Sequence, residues 1–283
     1  MSLFSSHKLL KNFIGRKPTE KYDDYIVEGI DKEHYLDTMY GYLNWYLAQD
    51  TKNVTIMSDD GLKLYASLLM CPNSKNFVIG SHSLFGCGIN DFAPLSEFYH
   101  NLGFNMLLPD HRTQGKSEGE YVSFGAFEKN DLIKWIYYIL DRFGNDSKII
   151  LHGVSMGATT SLLAGSMNLP DNVKAIISDC AFTDPISFLK YQLGRHHLPA
   201  NFILNPLFTK IVSKYVEKCV GINICNVNTI DSLKKSSIPI LFIHGDQDDI
   251  VPVDMCYKNF EACNSEKKML IVKNATHAKS HYI

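Results

Sequence analysis

Residues 149–160, Ile-Ile-Leu-His-Gly-Val-Ser-Met-Gly-Ala-Thr-Thr, constrain the chain more than any other stretch. An apolar run leads into Gly153-x-Ser155-x-Gly157 and then into small residues suited to opening a helix. A serine there sits on a strained strand-to-helix turn with its side chain presented outward, and the flanking glycines give the backbone room. The pentapeptide carries weight only with a strand before it, a helix after it, and an acid and a histidine further along. The rest of the sequence is read for those.

From residue 77 onward, short apolar runs alternate with helical stretches. Runs at 77–80, 105–108, 148–152, 173–178, 239–244 and 268–273 predict buried strands. Helices are expected near 92–101, 126–143 and 253–263, the second with Leu132, Trp135, Ile136 and Ile139 on one face. This alternation predicts an α/β fold, a mostly parallel central sheet with helices on both faces. In such sheets ligands bind beyond the carboxyl ends of the strands. Ser155, Asp110 and the acids after His244 all fall there.

Upstream, β-rich runs at 54–57 and 63–69 flank Ser58-Asp59-Asp60-Gly61, a hairpin signal. Residues 1–50 read as an N-terminal helical extension. Its stretch 31–49 carries Tyr35, Leu36, Met39, Leu43, Tyr46 and Leu47 at helical spacing, with Asp31 as N-cap, and is expected to dock on the main domain. Between about 184 and 237 no buried strand is evident. Phe188, Leu189, Phe202, Ile203, Leu204 and Phe208 lie among polar residues, with Pro199 and Pro206 as breakers. This segment is expected to be a helical cap inserted into a domain spanning 51–283.

The chain has 283 residues, 45% of them hydrophobic, enough for one large domain with a sizeable core. A net charge of -2, from 28 basic and 30 acidic residues, gives no electrostatic case for nucleic acid or an anionic membrane. No apolar run approaches the roughly 20 residues needed to span a bilayer. Residues 1–17 are basic and mildly amphipathic and lack the apolar core and cleavage site of a signal peptide. A helix packed on its own domain is the favoured reading. A weak membrane-surface contact through Phe4, Leu9, Leu10, Phe13 and Ile14 is the alternative. Seven scattered cysteines without C-x-x-C point to reduced packing thiols in a cytoplasmic setting, with no disulfide framework and no zinc site. Cys87, in a glycine-rich loop, is kept as a minor candidate for reactivity. Arg195-His196-His197 has no acidic or cysteine partner spaced for a metal and reads as a solvated face. No metal or organic cofactor is expected.

A serine nucleophile needs a base, and the base an orienting acid. In the chain order serine, acid, histidine, only His277 and His281 lie beyond the acids after His244. His277 directly follows the last strand and is preferred; His281 sits near the terminus. The acid is one of Asp246, Asp248 and Asp249, and composition does not choose among them. All three also suit a turn and helix cap. Asp179, at a strand end, reads as structural. His82 and His152 end buried strands and read as hydrogen-bonded scaffold. Arg112 is expected to brace its loop through Asp110.

Taken together, Gly153-x-Ser155-x-Gly157, His244-Gly245-x-x-Asp248-x-x-Val251-Pro252 and Thr276-His277-Ala278 resemble the α/β-hydrolase superfamily. Asp110-x-Arg112-x-x-Gly115-x-Ser117-x-Gly119 is similar to the loop after strand 4 in its esterase and lipase-like members. The resemblance runs from about residue 54 to the end. It implies Asp248 as the acid, with Asp246 and Asp249 as turn residues. It also implies an oxyanion hole of two backbone N–H groups, that of Met156 and one from the loop after strand 3. Members of the family carry His-Gly in that loop; this chain has His82-Ser83-Leu84, which makes Leu84 the second candidate. They also carry a last helix over one sheet face, and Ile283 follows His277 by six residues. Either that helix is absent or the sequence is truncated, and an apolar patch left uncovered there would be costly or would seek a partner. The implied activity is hydrolysis of a small-molecule carboxylic ester with an apolar group. A peptidase or thioesterase on the same residues, and a non-catalytic binding protein of the same fold, are the alternatives.

Overall fold

A computed structural model describes residues 14–19, 21–22, 31–195 and 206–282. Its frame is one eight-stranded sheet in the order β1-β2-β4-β3-β5-β6-β7-β8. β1 (Thr51–Met57) and β2 (Lys63–Leu69) form the expected antiparallel hairpin, and β2 pairs antiparallel with β4 (Phe104–Pro109). All other neighbours are parallel: β3 (Asn76–Ser81), β5 (Lys148–Val154), β6 (Val173–Asp179), β7 (Ile240–Gly245) and β8 (Lys267–Val272). Parallel strands need crossovers, and helices supply them.

Alternation along the central strands sorts the core into two layers. In β3, Phe77 and Ile79 face one side and Val78 the other. The first side packs against α3 (Glu128–Phe143), through Leu132, Trp135, Ile136 and Ile139, and against α4 (Met156–Ala164). The apolar stripe read from the sequence is thus the buried one. Each such side chain taken from water contributes on the order of 1.5–3 kcal/mol. α8 (Val253–Ala262) completes that layer with Cys256.

The opposite side is covered by α2 (Gly88–Asn101) and by the N-terminal helix α1 (Lys32–Leu47). Asp31 caps α1, its carboxylate accepting from the N–H groups of Glu33 and His34. Tyr35, Met39 and Tyr46 of the predicted stripe are buried, while Leu47, expected on the same face, is 60% exposed. The Tyr46 phenol donates to Ser67 Oγ of β2 at 2.9 Å, and Trp45 meets His100 edge-on. Cover thins toward β6–β8, where Ile177, Leu241 and Ile243 are half-buried and Leu270, the register partner of Ile243, is 51% exposed.

Between β6 and β7 the chain rises over the carboxyl ends of the strands as a helical cap. Among the described residues it comprises α5 (Pro185–Arg195), α6 (Pro206–Val220) and a 3-10 turn (Ile224–Asn226), after which α7 (Thr229–Leu233) returns to the sheet, its Leu233 in the core. Phe188, Leu189, Phe208, Val212 and Val216 of the cap join Met156, Phe182 and Val251 in an apolar cluster above the sheet. The proposed membrane-contact residues Phe4, Leu9, Leu10 and Phe13, and the cap residues His196, His197, Pro199, Phe202, Ile203 and Leu204, lie outside the described residues. Ile14 is described: it is buried in the cap cluster, and its carbonyl accepts from Val122 N–H. All seven cysteines are free. Among the described residues no helix is long and apolar enough to cross a membrane.

Candidate active site

Ser155 links β5 directly to α4 with φ 55° and ψ -115°, a left-handed conformation costly for a residue with a Cβ. The strain is on the order of 1–3 kcal/mol. It is held from both sides: Ser155 N–H donates to Asp179 O at 2.8 Å, and Ser155 O accepts from Thr159 N–H at 3.0 Å. Gly157 is the residue the packing cannot replace. A Cβ there would lie 1.9 Å from Ser81 O, because α4 begins pressed against the end of β3. The same close approach sets Met156 beside the loop that follows β3.

His277 reaches the serine from the loop after β8. That loop folds onto the end of β7 because Gly245 has no side chain: a Cβ there would lie 2.1 Å from Ala275 O. Gln247 N–H donates to Ala275 O at 3.0 Å and Asn274 N–H to Asp246 Oδ1 at 2.7 Å. Ser155 Oγ lies 3.0 Å from His277 Nε2, and His277 Nδ1 lies 2.7 Å from Asp248 Oδ2. The serine, histidine and acid that the sequence put forward therefore meet in one hydrogen-bonded row. With Nδ1–H donating to the carboxylate, Nε2 is left to accept from the serine hydroxyl.

The three aspartates after His244 find three different partners. Asp246 holds Asn274, Asp249 pairs with Arg195 of the cap, and Asp248 takes His277. Asp248 is also the most saturated. Its Oδ1 accepts from Ile250 N–H and Val251 N–H at 2.9 and 2.8 Å, and His244 Nε2 stands 3.1 Å from Oδ2. Burial works against the charge of this carboxylate. The charges and hydrogen bonds of His277 and His244 outweigh it and hold the group well below the usual carboxylate range.

The loop after β3 is fixed by groups that motif reading did not connect. His82, fully buried, sits 2.7 Å from Ser83 O through Nδ1, and its Nε2 accepts from His111 N–H at 2.8 Å. Because a backbone N–H is always a donor, Nε2 must be the bare nitrogen and Nδ1 the protonated one. Asp91, in the first turn of α2, accepts from Ser83 N–H at 2.7 Å. Gly86 N–H adds a second donor to Ser83 O. Leu84, half-buried, joins Met156 in the cap cluster. Beyond His277, the buried Lys279 bonds the phenol of Tyr35, which ties the histidine loop to α1. Burial pushes its ammonium down to about 8. Asp91 and the Tyr35–Lys279 pair are spread over the chain without spacing that relates them, so no sequence signal marks them; His244 opens the motif that holds Asp248, but the motif does not show that the two side chains meet.

The scaffold readings come out as follows. His152 bonds the Tyr99 hydroxyl at 2.8 Å. Arg112 does brace its loop, through Asp131 of α3 and Asp60 of the hairpin turn rather than through Asp110. Asp110 instead accepts from Gly88 N–H and Lys116 N–H. Cys87 is a poor nucleophile, its thiol pushed up to about 12 by burial. Among the described residues, Cys180, Asp248 and His277 are a group whose ligand atoms lie within 4.8 Å of one another. Two of these atoms already bond each other, and burial drives the Cys180 thiol well above its ordinary value, away from the thiolate that ligates metals.

Residues 77–210 match the family described as alpha/beta hydrolase fold. The chain is 32% identical over 212 residues to the uncharacterized protein YqkD of Bacillus subtilis, covering 74% of this chain and 67% of that one. It is 25% identical to the uncharacterized membrane protein YNL320W of Saccharomyces cerevisiae, over 77% of this chain and 70% of that one. Among solved structures, the Pyrococcus furiosus esterase PF2001 superposes with a TM-score of 0.64 at 20% identity, covering 94% and 92% of the two chains. Est1E from Butyrivibrio proteoclasticus, solved with ferulic acid bound, gives 0.62 at 22% identity, covering 81% and 92%. The protein belongs to the α/β-hydrolase superfamily.

Proposed function

We propose that this protein is a serine hydrolase that cleaves carboxylic esters through an acyl-enzyme. Ser155 Oγ attacks the ester carbonyl carbon as His277 Nε2 takes its proton. The N–H groups of Met156 and Leu84 receive the oxyanion. The tetrahedral intermediate collapses, the carbon–oxygen bond to the alcohol breaks, and His277 returns the proton to the departing alkoxide. Water then attacks the acyl-enzyme with the same base, releasing the acid and restoring Ser155. Asp248 stays ionised throughout and orients the imidazole. No metal or organic cofactor enters these steps.

The observation that carries this reading is the unbroken row Ser155–His277–Asp248, at 3.0 and 2.7 Å. Two features support the oxyanion assignment. Met156 is the first residue of α4, where backbone N–H groups are unpaired and the helix dipole favours negative charge. Ser83 O is drawn toward His82 and Gly86, and in a trans peptide the N–H points opposite to the C=O, so the Leu84 N–H is turned away from both. The apolar cluster beneath the cap, with Leu84, Met156, Phe182 and Phe188, favours an ester whose acyl or alcohol part is apolar. The esterase names of the superposed structures agree with that substrate class.

Ser155→Ala is expected to abolish turnover of p-nitrophenyl esters and covalent labelling by a fluorophosphonate. Labelling that survives at the wild-type level would overturn the assignment of the nucleophile. A panel of oxyester, acyl-thioester and aminoacyl substrates decides between esterase, thioesterase and peptidase, with the oxyester expected to give the highest kcat/KM.

A further inference from the structure

His244 lies at the end of β7 with a fully buried side chain, and the steps above do not use it. Its Nε2 is 2.8 Å from Val251 O and 3.1 Å from Asp248 Oδ2. Its Nδ1 is buried and has no hydrogen-bond partner. A carbonyl oxygen accepts only, so the proton of the neutral ring is on Nε2, shared between Val251 O and Asp248 Oδ2. The tautomer is the opposite of the one His277 shows to the same carboxylate.

One ring therefore does two things. It fastens the loop 245–251 back onto the strand through Val251 O, while Val251 N–H holds Asp248 Oδ1. It also supplies the fourth hydrogen bond to Asp248, so that Oδ2 lies between two imidazoles. A carboxylate with two oxygens and both lone-pair directions engaged has one orientation open to it. Without the His244 donor, Oδ2 would keep only His277, and a loop rather than a strand would set its position.

We propose that His244 is a positioning residue of the active site, the strand-borne donor that fixes Asp248 Oδ2 and tempers the negative charge presented to His277. The inference rests on the reading of Ser155, His277 and Asp248 given above. The groups that face His244 are Asp248 and the Val251 carbonyl on its own loop, Asp179 at the end of β6, and, across the carboxylate, His277 of the loop after β8. Burial disfavours a charge on His244 and Asp248 favours it, with a net upward shift.

Two variants test this. His244→Gln keeps a side-chain N–H within reach of Oδ2 but cannot take a charge. His244→Met fills the volume and donates nothing. With p-nitrophenyl acetate between pH 4 and 9, His244→Met is expected to lose about tenfold in kcat with KM within twofold. Its acid limb of kcat/KM is expected to move to higher pH by about half a unit, since a less tempered carboxylate stabilises the imidazolium better. His244→Gln is expected to stay within about threefold of wild type with the limb restored. Wild-type kcat and limb position in His244→Met, with only its Tm lowered, would overturn the proposal, as would an equal loss in both variants. Should His244→Met not fold, nitrogen-15 NMR of the wild-type histidines at pH 8 decides instead. It must find His244 protonated at Nε2 and bare at Nδ1, and the reverse tautomer refutes the donor role. The two readings fail separately. Persistent fluorophosphonate labelling of Ser155→Ala removes the nucleophile, whereas lost labelling with wild-type behaviour of the His244 variants removes only the role of His244.

Discussion

Asp179 and Asp248 stand at the carboxyl ends of neighbouring strands, both buried, and the protein treats them in opposite ways. Asp248 collects two backbone N–H groups and two histidines and is held well below the usual carboxylate range. Asp179 has the Ser280 hydroxyl at 3.1 Å, and burial pushes its carboxyl up to about 6. Charge in this interior follows the number of donors rather than depth. The difference also decides which of the two is ionised across the acid range, and it is the saturated Asp248 that meets the His277 imidazole.

The comparison is broken most forcibly at Asp248. Asp248→Asn presents an amide N–H to His277, opposing the tautomer in which Nδ1 donates. A fall in kcat of roughly 10³–10⁴-fold is expected at neutral pH, measured on p-nitrophenyl esters. A loss below tenfold would place the orienting acid elsewhere, with Asp179 the first candidate.

Asp179→Asn should leave kcat within about threefold and change the pH dependence of stability instead. The folded-state value of Asp179, about 6, lies above its ordinary 3.8. Between these values the native protein holds a proton that the unfolded chain has released, so stability falls as pH rises through that window. The asparagine variant lacks this loss. Relative to wild type it should gain on the order of 2 kcal/mol at pH 8 over pH 4, read as the difference in denaturant midpoints. Asp248 acts with the opposite sign: its stabilising contribution is present above its ordinary value of 3.8 and fades as pH falls below it. The smallest effect is expected for Ser280→Ala, which removes the hydroxyl from Asp179. About 1 kcal/mol should be lost at pH 8 and less at pH 4, where the carboxyl is protonated.

Much of the fold is legible because its signals are local. Apolar runs of strand length, a glycine on each side of Ser155, and the stripe from Leu132 to Ile139 each depend on a few adjacent residues. Element starts are less legible where a distant group sets them. α2 begins at Gly88, ahead of the expected 92, and its Gly88 N–H is held by Asp110 from the end of β4. α3 begins at Glu128, two residues later than expected, and Glu128 turns its carboxylate back onto the N–H groups of Ser123 and Gly125. In the candidate site, Ser155 and His277 follow from motif and chain order. Residue type leaves Asp246, Asp248 and Asp249 alike, and only the resemblance of His244-Gly245-x-x-Asp248 points to Asp248, the one that the folded loops of β7 and β8 bring to His277.

By itself, then, the amino-acid order determined the parallel α/β frame, the strained serine turn and the late histidine, since each is written in short-range pattern. The tertiary structure brings His277 against Asp248, the aspartate that the family resemblance implied and that residue type alone left among three. It alone brought Asp91 beneath Ser83 and Lys279 against Tyr35, 244 positions apart in the chain. These are pairings between strand ends and loops that touch because the sheet aligns its carboxyl edges. No periodicity encodes such contacts, and the donors that the fold gathers around each buried group, rather than residue type, set the charge it carries.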